Sequence, residues 1–508
     1  RKEGGSVKHE CNLLVVSDLH LSEGWDPDTG KTSRLEDFFR DDAFSRFLRY
    51  HEGIKDQPRF GGRPWLLILN GDIFDFLQVV SLPEDGLPLE SIKGVERRSQ
   101  LRSNEQAHGL GTTASESAWK LKQIARGHQR FFAALGWFVM RGNQVAVVRG
   151  NHDVDLHWEE VQDCFVLETH QAYARQRSRD GIGPPTTLAA CRERIRFYPW
   201  FYHESERIYV EHGCQYEATN HFRDFLNPVL PGDPQRIELP WGSLFVRYLF
   251  NKVEDIHPFA DNVKPLTRYL SWAFRTDPIR ALEVFLGRGW VFLRAFWKAG
   301  RKAAAAALPA PEGDVSAHDA QGSLPPPVTK EIEALARWRV ETSWQTWVGS
   351  VLQGLISLLT LLIIGAFIAR AGVILAFNSS PQWMAGVHIG IAILAAFLGR
   401  GLRRGLSRMV ERRYLLEVAR ELEQILASAG GVRYIVMGHD HQAAIERIDE
   451  AWYVNTGAWV SLYEKEGPIE GREVLTFFRL ASGHQGTPEL LRWDDAGGTP
   501  SRMVLERS

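Results

Sequence analysis

The segment Gln144-Val-Ala-Val-Val-Arg-Gly-Asn-His-Asp153 begins as an apolar run typical of a buried strand and ends in polar residues. In open α/β sheets, ligands bind at the carboxyl ends of the strands. Asn151 and His152 could supply a metal ligand and an acid–base group at such a strand end. A turn with polar caps would use Gly150-Asn151 equally well, so this motif alone does not decide the function.

Four further apolar runs end in the same manner. Each motif is common by chance, but five of them in chain order form a strong joint signal for one shared site. Helical patterns such as Ser115–Met140 alternate with the runs, which predicts an α/β fold. The four runs are Leu13–Ser17 before Asp18-Leu-His20, Trp65–Asn70 before Gly71-Asp72-Ile-Phe-Asp75, Arg207–Glu211 before His212-Gly213, and Arg433–Met437 before Gly438-His439-Asp-His441.

The strand-end residues together form a ligand set of two carboxylates, four imidazoles and one amide oxygen. These hard or borderline donors fit divalent first-row ions and not a thiolate site. We expect a pair of ions about 3.5–4 Å apart, bridged by one carboxylate, that could bind a single phosphoryl group. The candidate ligands are Asp18, His20, Asp72, Asn151, His212, His439 and His441.

The overall composition limits the possible partners. The formal net charge of −2 gives no reason to expect nucleic acid as an obligatory partner. The four cysteines contain no C-x-x-C pair, which indicates a reducing compartment and excludes a cysteine zinc site. At 508 residues the chain is too long for one simple core, so we expect several units.

We divide the chain into six segments. Residues 222–300 combine aromatic and aliphatic residues with too many arginines for a membrane span, so they form either an interfacial cap or a buried helical subdomain. The segments are 11–221, the first part of the catalytic domain; 222–300, the cap-like region; 301–329, an Ala/Pro/Gly-rich linker; 330–346, a juxtamembrane helix; 347–399, a transmembrane hairpin; and 400–508, a basic juxtamembrane helix and the second part of the catalytic domain.

Two apolar runs predict the hairpin. Trp347–Ala369 contains no charged residue and would extend about 34 Å as a helix, enough to cross a bilayer. After Arg370 and the turn signal Asn378-Ser-Ser-Pro381, the run Trp383–Leu398 is shorter but has an uncharged flank. The alternative is a core hairpin of a soluble protein, although few soluble helices are apolar on all sides.

Two arguments give the same orientation. Six arginines lie between Arg400 and Arg413, whereas the connection between the runs contains only Arg370, so both ends of the hairpin should face the cytoplasm. The candidate ligands lie on both sides of the hairpin and can converge only if the number of spans is even. We therefore expect a multi-pass protein of the inner, cytoplasmic membrane with a cytoplasmic catalytic domain.

The five motifs together resemble those of the calcineurin-like metallophosphoesterase superfamily, over roughly residues 11–215 and 430–480. The resemblance implies a sandwich of two mixed β-sheets flanked by helices, here interrupted by the cap region and the transmembrane hairpin. It implies one ion bound by Asp18, His20, Asp72 and His441 and a second bound by Asp72, Asn151, His212 and His439. Asp72 would be the bridge. His152 would be a catalytic acid that is not a ligand, with Asp75 orienting its imidazole.

Two local details refine the resemblance. The protein-phosphatase branch has Arg at the position of Phe76, which disfavours a Ser/Thr phosphatase. The stretch His212-Gly-Cys-Gln-Tyr-Glu-Ala-Thr-Asn220 looks more like bacterial members related to UDP-2,3-diacylglucosamine diphosphatases, which act on lipid-linked pyrophosphates. Those diphosphatases carry Arg where His152 stands and lack the hairpin.

The sequence leaves three functional hypotheses. The first is a membrane-anchored hydrolase of a phosphoester or pyrophosphate bond that acts on a lipid-linked substrate, with two divalent ions, Mn²⁺ first and Fe²⁺ or Zn²⁺ as alternatives. The second is a hydrolase of a soluble nucleotide or nucleic acid that the hairpin only anchors. The third is a scaffold protein without catalysis, which the complete ligand set disfavours.

Overall fold

The computed structural model describes residues 11–183, 187–251, 324–377, 381, 383–410, 414–463, 471–484 and 486–503. The predictions for residues 252–300 of the cap-like region and 301–323 of the linker lie outside the described residues.

Twelve of the described strands build two sheets, and the other six form three short two-stranded ribbons. The strands are β1 Asn12–Val16, β2 Trp25–Asp26, β3 Lys31–Thr32, β4 Trp65–Asn70, β5 Gln144–Val148, β6 Ile195–Tyr198, β7 Phe201–Glu204, β8 Ile208–Glu211, β9 Val229–Leu230, β10 Asp233–Ile237, β11 Tyr434–Met437, β12 Ala444–Ile448, β13 Ala451–Asn455, β14 Ser461–Tyr463, β15 Gly471–Glu473, β16 Thr476–Leu480, β17 Glu489–Asp494 and β18 Thr499–Arg502.

Both large sheets are mixed. The first has the order β18-β17-β16-β1-β4-β5-β6, in which β1, β4, β5 and β6 run parallel and β16 to β18 antiparallel. The second has the order β12-β13-β11-β8-β7, with β8, β11 and β13 parallel. Two mixed sheets flanked by helices confirm the predicted fold class.

The α-helices lie outside the sheets or extend away from them. Thr113 begins α4 with a capping box, in which its side chain and that of Glu116 each accept from the other residue's backbone N–H. The helices are α1 Asp41–Ile54, α2 Leu87–Lys93, α3 Ser103–His108, α4 Ala114–Gly127, α5 Gln129–Met140, α6 Glu159–Arg179, α7 Leu188–Arg194, α8 Trp241–Phe245, α9 Pro326–Phe377, α10 Trp383–Val410 and α11 Tyr414–Ala427.

Alternating residues of the central strands pack on opposite sides, because successive side chains of a strand point to opposite faces. Leu14, Leu67 and Val147 belong to a cluster with helices α1, α4, α5 and α6. Leu13 and Ile68 pack instead against the second sheet. Both faces are therefore apolar, which is why these strands read as continuous hydrophobic runs. The outer face of the second sheet is covered by α11 and the first turns of α9.

One helical prediction differs from the structure. The pattern over Ser115–Met140 forms two helices, α4 and α5, which are divided at His128. The ring of His128 contacts Glu36 and Asp41 at this break.

The apolar segments form two long helices in contact, α9 and α10. Within α10, Trp383–Gly401 is long and apolar enough to cross a bilayer, and only 17% of its apolar window is buried. In α9, Ile363–Phe377 is a shorter apolar helix. The run expected to span at 347–369 lies within α9, where residues 341–359 are described by their backbone alone. The described residues thus contain one helix that is both long and apolar enough to cross a bilayer, not the two predicted.

Candidate metal centre

The sheet topology brings the predicted ligands together. Because β1, β4 and β5 are parallel, the residues that follow them meet at one edge of the first sheet. The residues that follow the parallel strands β8 and β11 likewise meet in the second sheet. Backbone bonds join the loops: Asp18 N–H donates to the carbonyl of Gly71 at 3.1 Å, and Gly438 N–H to that of His212 at 3.0 Å.

Backbone strain is concentrated at these loops. In the described part of the chain, seven non-glycine residues have positive φ, and five of them are predicted ligands. Non-glycine residues seldom adopt the left-handed conformation, which costs about 1–3 kcal/mol each and is typical of functional sites. The five φ values are 55° at Asp18, 52° at His20, 51° at Asp72, 71° at His439 and 59° at His441.

One group of ligands combines the first and last motifs. Asp18, His20 and His441 are buried, and each can offer a ligand atom within 4.8 Å of the others. His441 Nε2 lies 3.1 Å from Asp18 Oδ1 and 3.3 Å from His20 Nε2. His441 is 421 positions from His20 in the sequence, so the fold alone brings it to the first motif.

A second group combines Asp72, His212 and His439 with the same proximity. His212 Nε2 lies 3.0 Å from Asp72 Oδ2, while its Nδ1 is 3.0 Å from the carbonyl of Asn70. Asp72 Oδ1 accepts from the backbone N–H of His152 at 2.8 Å. Gly150 permits this approach, because a Cβ at that position would overlap the Asp72 carboxylate.

The remaining predicted ligand, Asn151, is buried beside the second group. Its Nδ2 lies 3.4 Å from the side-chain oxygen of Asn220, and its backbone carbonyl is 3.5 Å from the hydroxyl of Ser243. Its own side-chain oxygen has no hydrogen-bond partner among the described residues. That atom is the one an amide ligand offers to a cation.

His152 and Asp75 form a separate pair. His152 Nδ1 is 2.6 Å from Asp75 Oδ2, and Asp75 Oδ1 accepts backbone N–H bonds from Leu77 and Gln78. Asp75 is fully buried, whereas the side chain of His152 retains 12% exposure. Asp75 also lies 3.5 Å from His20 Nδ1, so a third possible ligand group consists of His20, Asp75 and His152.

The charges of the site suit a cation. Burial disfavours the ionised forms of Asp18 and Asp72, but the neighbouring imidazoles hold both pKa values well below the usual range. Burial also opposes protonation of His212, yet Asp72 and Asp18 raise its pKa to about 9. Ionised carboxylates so deep in the protein require compensating positive charge, which a proton or a metal ion can provide.

The residues fit a metal site. Asn151 Oδ1 is buried and makes no hydrogen bond within the described residues, and the buried Asp18 Oδ1 and His212 Nε2 contact only other predicted ligands there. Native proteins seldom leave buried polar atoms in that state without a functional reason. All three atoms belong to residue types that bind divalent first-row ions.

Sequence reasoning missed one residue of this region, Glu217. Its carboxylate lies 2.6 Å from His439 Nε2. Glu217 stands five positions after His212 in a loop, where nothing in the local pattern separates it from a surface carboxylate. Only the tertiary contact identifies it.

Residues 11–292 match the calcineurin-like phosphoesterase family. No curated protein matches the sequence. The matched range is more than half of the chain and contains all predicted site residues except His439 and His441, which the fold brings to the same place. The chain therefore belongs to the calcineurin-like phosphoesterase family and is a hydrolase that acts on phosphoester bonds.

Proposed function

We propose that this hydrolase has a dinuclear metal centre. One ion is bound by Asp18, His20, Asp72 and His441 and the other by Asp72, Asn151, His212 and His439, with Mn²⁺ favoured over Fe²⁺ or Zn²⁺. The observation that supports this proposal most is that the candidate ligands have strained backbones. Each of the two ligand groups contains residues in the left-handed conformation. A fold does not maintain such strain without compensation.

The reaction follows from the arrangement of the protein groups. Ions at this site would lower the pKa of a bound water and offset the charge that develops on the phosphoryl oxygens. Asp75 accepts the Nδ1–H of His152 and stabilises its protonated ring, which leaves Nε2 as the donor. As a water oxygen loses a proton to solvent and forms the new bond to phosphorus, the bond to the leaving oxygen breaks and His152 donates its proton to that oxygen.

We further propose that the substrate is a lipid-linked phosphoester or pyrophosphate at the cytoplasmic face of the inner membrane. The apolar and largely exposed helix Trp383–Gly401 supports a membrane location. The beginning of α9 packs in one cluster with Cys214 and Tyr216, which follow His212 directly. The hairpin of α9 and α10 is therefore attached beside the site, where a bilayer could present a substrate. In this proposal both helices span the membrane.

The second candidate is a hydrolase of a soluble nucleotide or nucleic acid that the hairpin only anchors. A substrate panel separates the two candidates. Full-length protein in detergent with Mn²⁺ is assayed on lipid-linked pyrophosphates, soluble nucleotides and a small aryl phosphoester at equal concentrations. A higher kcat/KM for the lipid-linked compounds is expected. Equal or higher values for nucleotides would refute the lipid proposal but not the metal centre.

A further inference from the structure

Glu217 contacts the metal site from outside the predicted ligand set. It follows the short 3₁₀-helix Cys214–Tyr216, and its Oε2 lies 2.6 Å from Nε2 of His439. His439 is almost fully buried, whereas the Glu217 side chain is 40% exposed. The carboxylate therefore approaches the imidazole from the solvent side.

Asn220 connects this contact to a second predicted ligand. Its Nδ2 donates to Glu217 Oε2 at 2.9 Å, and its Oδ1 lies 3.4 Å from Nδ2 of Asn151. The Asn151 amide group is thereby oriented with its nitrogen toward Asn220. Its buried oxygen, without a hydrogen bond among the described residues, is left for a cation.

We propose that Glu217 and Asn220 are positioning residues for the second metal ion. Glu217 accepts the Nε2–H of His439, which fixes the tautomer that offers Nδ1 to the ion. Asn220 fixes the Asn151 amide so that its oxygen is the ligand atom. A carboxylate bound to a ligating histidine also makes the imidazole a stronger donor. This inference rests on the proposed ligand set, in which His439 and Asn151 serve the second ion only.

Helix α8 supports the same network. Gly242 N–H donates to the carbonyl of Thr219 at 2.7 Å, which places the helix against Asn220. A Cβ at Gly242 would overlap the Asn220 side-chain oxygen, so Gly242→Ala must displace that amide. Gly242 therefore offers a way to disturb Asn151 without changing any group that touches it.

The test is a titration of the full-length protein with Mn²⁺ in detergent. Calorimetry and the electron paramagnetic resonance signal of free Mn²⁺ are used to monitor binding. The wild type should bind two ions. Glu217→Ala and Asn220→Ala should each weaken the second ion about 10–100-fold while the first keeps its affinity within about threefold. Glu217→Gln retains an acceptor and should have a smaller effect. Gly242→Ala should act in the same direction as Asn220→Ala.

Thr219→Val is the matched control. It removes only the bond from the threonine hydroxyl to Oε1 of Glu217, the oxygen that does not contact His439. It should leave both affinities unchanged. Unaltered binding of both ions by Glu217→Ala, or equal weakening of both, would overturn the proposal. If the alanine variants at Glu217 and Asn220 fail to fold, the affinities of Glu217→Gln and Gly242→Ala for the second ion decide whether the proposal holds. A wild type that binds fewer than two ions would instead refute the dinuclear centre itself.

Discussion

At the scale of single residues, the site is distinguished by the positive φ angles of its candidate ligands. Asp18, His20 and Asp72 occupy a left-handed conformation that the sequence pattern did not predict, because Asp and His adopt it only occasionally. The polar residues at strand ends were recognisable because each interrupts a hydrophobic run. Their strained geometry and the contact from Glu217 depend on tertiary structure and were not predictable.

The first residue-scale prediction concerns His152. Replacing it with alanine should leave two Mn²⁺ ions bound, because its ring interacts with Asp75 and is not a proposed ligand. Turnover should fall about 10²–10⁴-fold, the usual loss when a general acid is removed. Metal content by mass spectrometry and kcat on an aryl phosphoester provide the measurement. Loss of an ion from this variant would instead support the group of His20, Asp75 and His152 as a metal site.

The second residue-scale prediction concerns Asp72, the proposed bridge. Asp72→Asn should weaken both ions, whereas His441→Asn should weaken only the first and His212→Asn only the second. Titration of each variant with Mn²⁺ gives the two affinities directly. His51→Gln is the control, because His51 is buried beside Trp65, away from the site. If Asp72→Asn affects one ion only, Asp72 is an ordinary ligand and not the bridge.

At the scale of secondary-structure elements, contacts between His128 and two carboxylates stabilise the break between α4 and α5. His128 contacts Glu36 at 3.1 Å and Asp41 at 3.0 Å. Glu36 also accepts the backbone N–H groups of Ser22 and Gly24, in the loop that follows His20. The apolar spacing of residues 115–140 predicted the helices but not their division, because the contacts that divide them come from distant segments.

This cluster predicts a pH dependence of stability. Burial disfavours the charged imidazole of His128, but Glu36 and Asp41 raise its pKa to about 10, above the 6.5 of an unperturbed histidine. The folded state therefore holds this proton more tightly than the unfolded state does. The resulting stabilisation is complete below pH 6.5 and is lost as the pH rises toward 10.

The measurement compares His128→Gln with the wild type by thermal unfolding at pH 6, 8 and 10. The variant should melt at a lower temperature at pH 6, and the difference should shrink steadily toward pH 10. His484→Gln, at a half-buried position outside this cluster, serves as the control. A difference that is the same at all three pH values would show that the proton on His128 does not stabilise the fold.

At the scale of the whole molecule, the segments that build the two sheets are interrupted by the hairpin of α9 and α10. The fold class was predictable because two-sided burial makes the parallel strands continuous hydrophobic runs. The point at which the hairpin is attached was not predictable, because it depends on packing between α9, α11 and the loop after His212. Arg339 of α9 pairs with Glu417 and Glu421 of α11, so both ends of the hairpin are joined close to the catalytic domain.

This attachment determines how the hairpin should be removed. One core cluster contains residues of the first turns of α9 and of α11, together with Phe222 and Phe225. A variant should therefore lose only residues 347–399, replaced by a short Gly/Ser linker. It should bind two ions and hydrolyse an aryl phosphoester at the wild-type rate, but no longer sediment with membranes or prefer lipid-linked substrates. An unchanged preference for lipid-linked substrates would mean that the hairpin plays no part in substrate choice.

The division of the site between two distant parts of the chain also has a consequence for biosynthesis. During translation, Asp18, Asp72, Asn151 and His212 leave the ribosome before the hairpin, whereas His439 and His441 follow it. Strand β16, which pairs with the central strand β1, is made later still. A nascent or prematurely terminated chain therefore contains an incomplete site on an unfinished sheet. We therefore expect a chain that ends before the hairpin to lack hydrolase activity, because it contains neither His439 and His441 nor the strand that completes the pairing of β1.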